Sequence, residues 1–268
     1  MKTIIGFQKK GGDCKTTFAL NTSYAFAENG LNVMLADLDD QQNSSRSIAC
    51  SKDAKLNIED LILNDNIHIN EVLIKTDWPN VWILPSTSNL SGVIHHLSNE
   101  LGGYHILGEK LKQAEGFDYC FLDPSPSLNI LNISGFCASQ FAFVPMSTKY
   151  FSLEGLKQSL EAFGKIKKRL NSAIRLLGIG FANYDKRTVL SNEIVRQVRR
   201  KYPDLLFKSM VGVNIKIEES LTKKQSILQY APTDRGAIQY RKLAAELLER
   251  IDSMSDIATP VLKGALNG

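Results

Sequence analysis

The segment FQKKGGDCKTT, residues 7–17, constrains the fold of this chain more than any other. It follows KTIIGF, an apolar and β-branched run of strand length, and precedes TTFALNTSYAFAENG, which has the apolar spacing of a helix. A loop between a buried strand and a helix N-terminus offers unpaired N–H groups to an anion. Gly11 and Gly12 allow close approach of a phosphate, Lys15 can reach its oxygens, and Thr16 offers a hydroxyl to Mg²⁺.

The loop nevertheless departs from the ordinary phosphate-binding pattern G-x-x-x-x-G-K-[ST]. When the pattern is aligned on Lys15 and Thr16, its two glycines fall on Lys9 and Cys14. A plain turn with surface lysines is the alternative, and the letters KGG alone would not exclude it. The complete spacing K-G-G-x-x-K-T-T between a strand and a helix favours nucleotide binding.

The strand, loop, helix, strand pattern recurs along the chain. It predicts an α/β fold with a doubly wound, mostly parallel sheet flanked by helices. Strands are predicted over residues 2–7, 31–37, 80–86, 117–123, 140–146, 175–183 and 206–213. A helix is predicted from Arg235 to Ile251, and the polar tail 252–268 is expected to be partly disordered. Since no repeat or linker is visible, residues 1–251 are predicted to form one domain.

The cysteines, the apolar runs and the charge distribution of the chain indicate its redox environment, its relation to membranes and the charge of its partners. The four cysteines show no C-x-x-C spacing, which favours neither zinc nor disulfides and fits a reducing cytoplasm. No apolar run is long enough to span a bilayer. Residues 1–134 carry 10 Lys and Arg against 16 Asp and Glu, whereas residues 135–268 carry 22 against 12. The basic second half indicates either a polyanionic partner or a solvated surface, and composition leaves both open.

Four motifs together resemble the ParA/MinD superfamily. KGGDCKTT resembles its deviant Walker A motif K-G-G-x-G-K-[ST], and ADLDDQQNSS (36–45) resembles its switch segment D-x-D-P-Q-G-N. FDYCFLDPSPSLN (117–129) resembles its Walker B strand, and FVPMSTKYFSLEGL (143–156) resembles a segment of the partition-type branch. The resemblance extends from Lys2 to Arg250, and the chain is identified as a relative of the ParA/Soj-type partition ATPases. It implies the fold of a P-loop NTPase.

The resemblance also implies roles for individual residues. Lys10 matches the signature lysine, which reaches across a dimer interface to the nucleotide of the partner and, with Lys15, stabilises the transferring phosphate. Asp39 is expected to position the attacking water. The Mg²⁺ ion is expected at Thr16, Asp123 and Asp37. The implied ATP contacts are Lys10, Gly11, Gly12, Asp13, Cys14, Lys15, Thr16, Thr17 and, at the base, Asn183.

Two residues depart from the family pattern. Cys14 replaces a glycine, and a non-glycine residue is strained there if its φ is positive, which predicts slow hydrolysis. A reactive thiolate is an alternative, because a helix N-terminus beside Lys15 lowers the pKa of a thiol. Lys149 stands where the partition-type branch has glutamate. It is interpreted as a surface residue, since Lys10 is already present.

The implied function is that of an ATPase that segregates or positions a cargo, a plasmid or a chromosome, on the nucleoid in the cytoplasm. ATP is expected to drive homodimerisation, and a ParB-like or other cargo adaptor is expected to stimulate hydrolysis. A protein cargo such as a carboxysome, or a nucleotide-gated DNA-binding scaffold with little turnover, are the alternatives. No membrane partner is expected, because the tail lacks a basic amphipathic helix. The candidate contacts to non-specific double-stranded DNA are Arg187, Arg196, Arg199, Arg200, Lys216, Lys223, Lys224 and Arg235.

Overall fold

The computed structural model describes residues 1–9, 12, 14–48, 50, 54–149 and 152–255. The strands in this part of the chain are β1 (Lys2–Gly6), β2 (Val33–Leu38), β3 (Ile74–Lys75), β4 (Val81–Leu84), β5 (Tyr119–Pro124), β6 (Phe141–Met146), β7 (Arg175–Tyr184) and β8 (Val211–Gly212). The helices are α1 (Lys15–Glu28), α2 (Asn43–Arg46), α3 (Ile58–Leu63), α4 (Ile69–Val72), α5 (Ser91–Asn99), α6 (Gly103–Lys112), α7 (Ile130–Ala138), α8 (Ser152–Arg169), α9 (Val189–Lys201), α10 (Ile215–Thr222), α11 (Ile227–Tyr230) and α12 (Arg235–Ser255).

The strands form one sheet in the order β3-β4-β2-β5-β1-β6-β7-β8. All neighbouring strands are parallel except β3 and β4, which are antiparallel. The chain leaves β1 towards β2 on one side and later returns to β6 on the other. In such sheets ligands bind at the carboxyl ends of the strands where the winding direction changes. The predicted fold class is confirmed, and the expected ligand crevice lies beyond β1.

Helices cover both faces of the sheet because the parallel strands are apolar on both sides. Ile4 of β1 contributes to the cluster packed with α1, α11 and α12, whereas Ile5 contributes to the cluster packed with the helices of the opposite face. Phe18 of α1 stacks on Phe143 of β6, with ring centroids 4.1 Å apart. This pair lies next to Gly6, at the point where β1 ends and the loop begins.

Two predicted elements differ from the structure. The strand predicted over 206–213 is confirmed only at Val211–Gly212, and Leu206 makes an isolated bridge to Ile179. The reason is that the carboxylate of Glu246 accepts hydrogen bonds from the backbone N–H groups of Lys208 and Ser209, which are therefore not available to a ladder. Helix α12 continues beyond Ile251 to Ser255, and residues 256–268 lie outside the described part of the chain.

Helix length and hydropathy bear on membrane insertion. No helix among the described residues is long and apolar enough to cross a bilayer.

Candidate nucleotide-binding site

The loop between β1 and α1 ends in a left-handed residue. Cys14 precedes α1 with φ 63° and ψ 17°, and its side chain makes no capping hydrogen bond to the helix. Gly12 also has a positive φ of 74°. The left-handed region is unfavourable for a residue with a Cβ, so the strain expected at Cys14 is present in the structure. Lys10, Gly11 and Asp13, which the sequence assigned to the nucleotide, lie outside the described residues.

Lys15 is directed back into the loop that it closes. Its side chain is buried, and Nζ donates a hydrogen bond to the carbonyl oxygen of Gln8 at 3.3 Å. Burial raises the pKa of Asp39 and of Asp123, and the Lys15 charge opposes that increase at both carboxyls. A buried ammonium surrounded by carboxylates and the loop backbone is positioned for the phosphate oxygens that the loop would enclose.

Strand register brings two acidic residues side by side. Asp37 of β2 and Asp123 of β5 are direct partners across the parallel ladder, and both side chains are buried. Asp39, which follows β2, is also buried, and its N–H donates to the Asp37 carboxylate at 3.1 Å. The structure therefore brings together three carboxylates that the sequence predicted separately at the ends of two strands.

Hydroxyl groups hold these carboxylates in place. Ser45 donates to Asp37 through both its N–H (2.8 Å) and its Oγ (2.7 Å). Ser44 Oγ donates to Asp123 at 2.7 Å, and the Thr16 side chain also hydrogen-bonds Asp123. Sequence reasoning missed both serines, although hydroxyl residues directly after a D-x-D motif were the available signal.

The site carries more negative charge than its surroundings neutralise. Burial and then the neighbouring charge of Asp123 raise the pKa of Asp37 to about 7. Burial also raises the pKa of Asp39 and of Asp123, although hydrogen bonds and Lys15 oppose the increase. Removing carboxylates from water disfavours their charged form, and adjacent carboxylates disfavour it further. A cation at this position would lower the energy of the ionised site.

The carboxylate and hydroxyl oxygens of this cluster suit a Mg²⁺ ion that is shared with a nucleotide better than a metal ion coordinated by the protein alone. No group of three His, Cys, Asp or Glu side chains with metal-holding geometry occurs among the described residues. Mg²⁺ is commonly held by one or two carboxylates, water and the phosphates of the substrate. Asp123 and Thr16 already share a hydrogen bond at the carboxyl end of β5. Together with Asp37 they form a donor set of the kind that such a shared ion uses.

Lys149 contacts the phosphate loop, although the sequence was interpreted as placing it on the plain surface. Its side chain is exposed, as expected, but Nζ donates a hydrogen bond to the carbonyl oxygen of Gly12 at 3.5 Å. On the other side of the loop, Ser159 of α8 accepts from the N–H of Lys9 at 3.0 Å. The connection after β6 and the helix that follows it therefore contribute to the shape of the loop, which the local motif alone did not indicate.

A cavity of about 60 Å³ lies beside the start of α1. Cys14 and Thr17 line it from the phosphate-loop side, and Asn183 lines it from the end of β7. Asn183 has φ 111°, an unusual value for a residue with a side chain. Asn183 thus shares a cavity with Cys14 and Thr17, and its contact with the base of a nucleotide stays a prediction.

The eight candidate DNA-binding cations are all exposed. Three of them form ion pairs: Arg187 with Asp185, Arg196 with Glu193, and Lys216 with Asp234. Among the described residues, the remaining five form no ion pair with a carboxylate: Arg199, Arg200, Lys223, Lys224 and Arg235. These five are the cations whose charge is least neutralised by the chain itself.

The family model described as "AAA domain" matches residues 1–176. The chromosome-partitioning ATPase Soj of Treponema pallidum is 34% identical over 250 residues, which cover 93% of this chain and 98% of that protein. The chain belongs to the ParA/Soj family of partition ATPases. Another member, the sporulation initiation inhibitor protein Soj of Bacillus subtilis, is 30% identical over 92% of this chain and 98% of its own length.

A solved structure shares the overall fold of this chain. Cobyrinic acid a,c-diamide synthase from Mycobacterium smegmatis, solved with bound ADP and magnesium, superimposes on this ParA/Soj family member with a TM-score of 0.81 at 25% identity. The match covers 95% of this chain and 96% of that one. The P-loop NTPase fold predicted from the sequence is thereby confirmed.

Proposed function

We propose that this chain is a slow, ATP-dependent dimerising ATPase that binds DNA and positions a cargo on the nucleoid. The observation that carries the proposal is the cluster of buried Asp37, Asp39 and Asp123 around Lys15 at the end of a phosphate-binding loop. Burying three carboxylates beside one lysine is costly even where hydroxyl groups donate to them, so the cluster has no evident structural purpose. It is accounted for if a nucleotide and Mg²⁺ complete the site.

Each residue then has a distinct task. Lys15 and the loop N–H groups hold the β- and γ-phosphates, and Cys14 and Thr17 lie beside the α-phosphate. Asp39 orients the water that attacks the γ-phosphorus and accepts its proton. Thr16, Asp123 and Asp37 hold Mg²⁺, which when bound neutralises the charge that develops on the phosphate oxygens. Lys10 acts on the nucleotide of the second subunit, and Asn183 contacts adenine.

The assembly part of the proposal rests on the family and on charge. Relatives are named as chromosome-partitioning proteins, and the exposed cations of α9 to α12 provide a surface for DNA phosphates. The ATP-bound form is a homodimer that binds double-stranded DNA without sequence preference. A ParB-like adaptor on a plasmid or chromosome, or an adaptor on a protein cargo, stimulates hydrolysis and releases the dimer.

Cys14 favours a second candidate function. A left-handed cysteine in the phosphate loop adds a Cβ and a thiol where the deviant Walker A pattern K-G-G-x-G-K-[ST] has glycine, and it can hold the loop away from the transition-state geometry. In that case the chain is a nucleotide-gated DNA-binding scaffold with little turnover.

The test compares Lys15→Ala with a matched control, Lys9→Ala, whose exposed side chain has no assigned role. Calorimetric titration with ATP and Mg²⁺ should show binding to the unmodified protein and to K9A, and none to K15A. ATP hydrolysis is then measured alone, with DNA, and with DNA plus a candidate adaptor. Unchanged ATP affinity in K15A would refute the site. Absence of hydrolysis in every condition, with ATP-dependent DNA binding intact, would refute the ATPase and leave the scaffold.

A further inference from the structure

The cavity beside Cys14 contains two polar side chains that nothing in the fold uses. The Asn183 amide and the Glu218 carboxylate both line it, and neither side chain has a hydrogen-bond partner or ion pair among the described residues. Asn214, which also lines the cavity, is fully used: its Oδ1 accepts from the N–H of Lys216, and its Nδ2 donates to Asp234. The Asn183 amide and the Glu218 carboxylate are therefore available to a ligand in this cavity.

We propose that Glu218 selects ribonucleotides by accepting hydrogen bonds from the ribose hydroxyls of the bound nucleotide. The inference rests on the proposed function, because it concerns the sugar of the same ATP. It adds a specificity-determining residue to a site otherwise defined by the phosphate loop and by Asn183.

Charge and connectivity decide which part of the nucleotide meets Glu218. A carboxylate repels phosphate oxygens, so the triphosphate lies towards the loop and Lys15. Along a nucleotide the sugar follows the α-phosphate directly. Cys14 and Thr17, at the start of α1, line the same small cavity as Glu218, so the group in contact with Glu218 is at most one sugar away from the phosphates.

The chemistry of the carboxylate points to the same group. An ionised carboxylate only accepts hydrogen bonds, and the two ribose hydroxyls are adjacent donors that it can engage with both oxygens. Doubly wound folds that bind NAD use an acidic residue to accept from the ribose 2′-hydroxyl in this way. The Asn183 amide, which also lines the cavity, offers both a donor and an acceptor and suits the edge of a base.

The position of Glu218 is fixed by the helix that carries it. Asn214 caps the N-terminus of α10, and Ile217, which precedes Glu218, is buried and also lines the cavity. Asp234 fastens the cap by accepting from Asn214 and by pairing with Lys216 at 3.0 Å. Glu218 itself stays exposed at the rim, where its substitution removes no core contact.

The test measures affinity for ATP, 2′-deoxy-ATP and 3′-deoxy-ATP in the full chain and in Glu218→Ala and Glu218→Gln variants. We expect the unmodified protein to prefer ATP over the deoxynucleotides by about tenfold, the size of one hydrogen bond to a charged group. E218A should bind ATP as weakly as it binds the deoxynucleotides, and E218Q, which keeps one acceptor oxygen, should retain part of the preference. The matched control is Glu219→Gln on the same helix, because Glu219 accepts from the Tyr230 hydroxyl at 3.2 Å instead of lining the cavity.

Three other outcomes of this experiment would each overturn the ribose assignment. Equal binding of ATP and 2′- and 3′-deoxy-ATP by the unmodified protein would overturn the ribose assignment while leaving the proposed function intact. If E218A changes the ratio of ATP to GTP affinity but not the ratio of ATP to deoxy-ATP affinity, Glu218 contacts the base and the assignment is also overturned. If no nucleotide binds to the unmodified protein, the proposed function itself fails and the inference fails with it.

Discussion

At Cys14 the residue type does not suit the backbone conformation of the loop. Its φ of 63° is a value at which glycine is unstrained and a residue with a Cβ is not. Its side chain packs against the cluster formed by α1 and α12, so the thiol has contacts that offset part of the strain. The side chain therefore has two separable effects, one from its Cβ and one from its sulfur.

The variants Cys14→Gly and Cys14→Ala separate these effects. Both lose the sulfur contacts, but only C14G relieves the left-handed strain, so C14G should be more stable than C14A by about 1 kcal/mol. Urea unfolding measures this difference. If the Cβ is what slows hydrolysis, C14G should also turn over ATP faster than the unmodified protein, and C14A should not. Faster turnover in C14A would instead identify the thiol as the cause.

Asp39 is expected to affect turnover without affecting nucleotide binding. It is buried beside Asp37, and the N–H of Gln41 donates to its carboxylate at 3.1 Å, which directs the side chain towards the loop. Asp39→Ala removes the group that orients water, so ATP-dependent complexes should persist on DNA. DNA release after an ATP chase measures this persistence. The control is Glu109→Ala, since Glu109 is exposed on α6 and lies outside the acidic cluster; normal turnover in D39A would refute the assigned role.

At the scale of elements, the end of α12 stabilises the segment between β7 and β8. Arg250 lies 4.0 Å from the ring centroid of Phe207. It also donates to the carbonyl oxygens of Leu177, at 2.9 Å, and of Leu206, at 3.0 Å. Glu246 pairs with Arg250 at 3.1 Å while binding two backbone N–H groups of the segment. Side chains of a helix thus replace the ladder that a longer β8 would have made.

Arg250→Ala should be strongly destabilising for this reason. It leaves partly buried carbonyl groups without this donor and Glu246 without its ion pair, so the free energy of unfolding should fall by about 2–4 kcal/mol. Lys242→Ala on the same helix is the control, since Lys242 is exposed and forms no ion pair among the described residues. It should change stability by less than about 0.5 kcal/mol. A loss in R250A no larger than in K242A would refute the importance of this contact.

The difference between local patterns and contacts between residues distant in sequence explains which features the sequence predicted and which it did not. Strands β1, β2, β5, β6 and β7 are apolar runs followed by turn residues, and that information is local. The pairing of Ser44 with Asp123 joins residues 79 positions apart, and no periodicity encodes it. The two-residue β3 is too short to have a pattern, and the loss of the ladder at Lys208 depends on Glu246, which is distant in sequence. Three acidic residues were found because each follows or ends a recognisable strand.

At the scale of the whole molecule, charge is divided between the two halves of the chain. The acidic first half contains the carboxylates of the site, and the basic second half contains α9 and the segments around α10. A cation that pairs with a carboxylate of the same chain already has its charge neutralised. An unpaired cation can instead bind a DNA phosphate, and counterions are released when it does so. Arg199 and Arg200, in the last turn of α9, belong to the unpaired group.

The double variant Arg199→Ala/Arg200→Ala should therefore weaken ATP-dependent DNA binding and reduce its dependence on salt. Each lost phosphate contact should reduce the slope of log K against log salt concentration by about 0.9. The charge-matched control is Lys165→Ala/Lys168→Ala, because these exposed lysines of α8 are outside the candidate set. Fluorescence anisotropy with a random-sequence duplex, at several salt concentrations, measures both slopes. Equal slopes for the two double variants would show that net charge, and not this end of α9, determines binding.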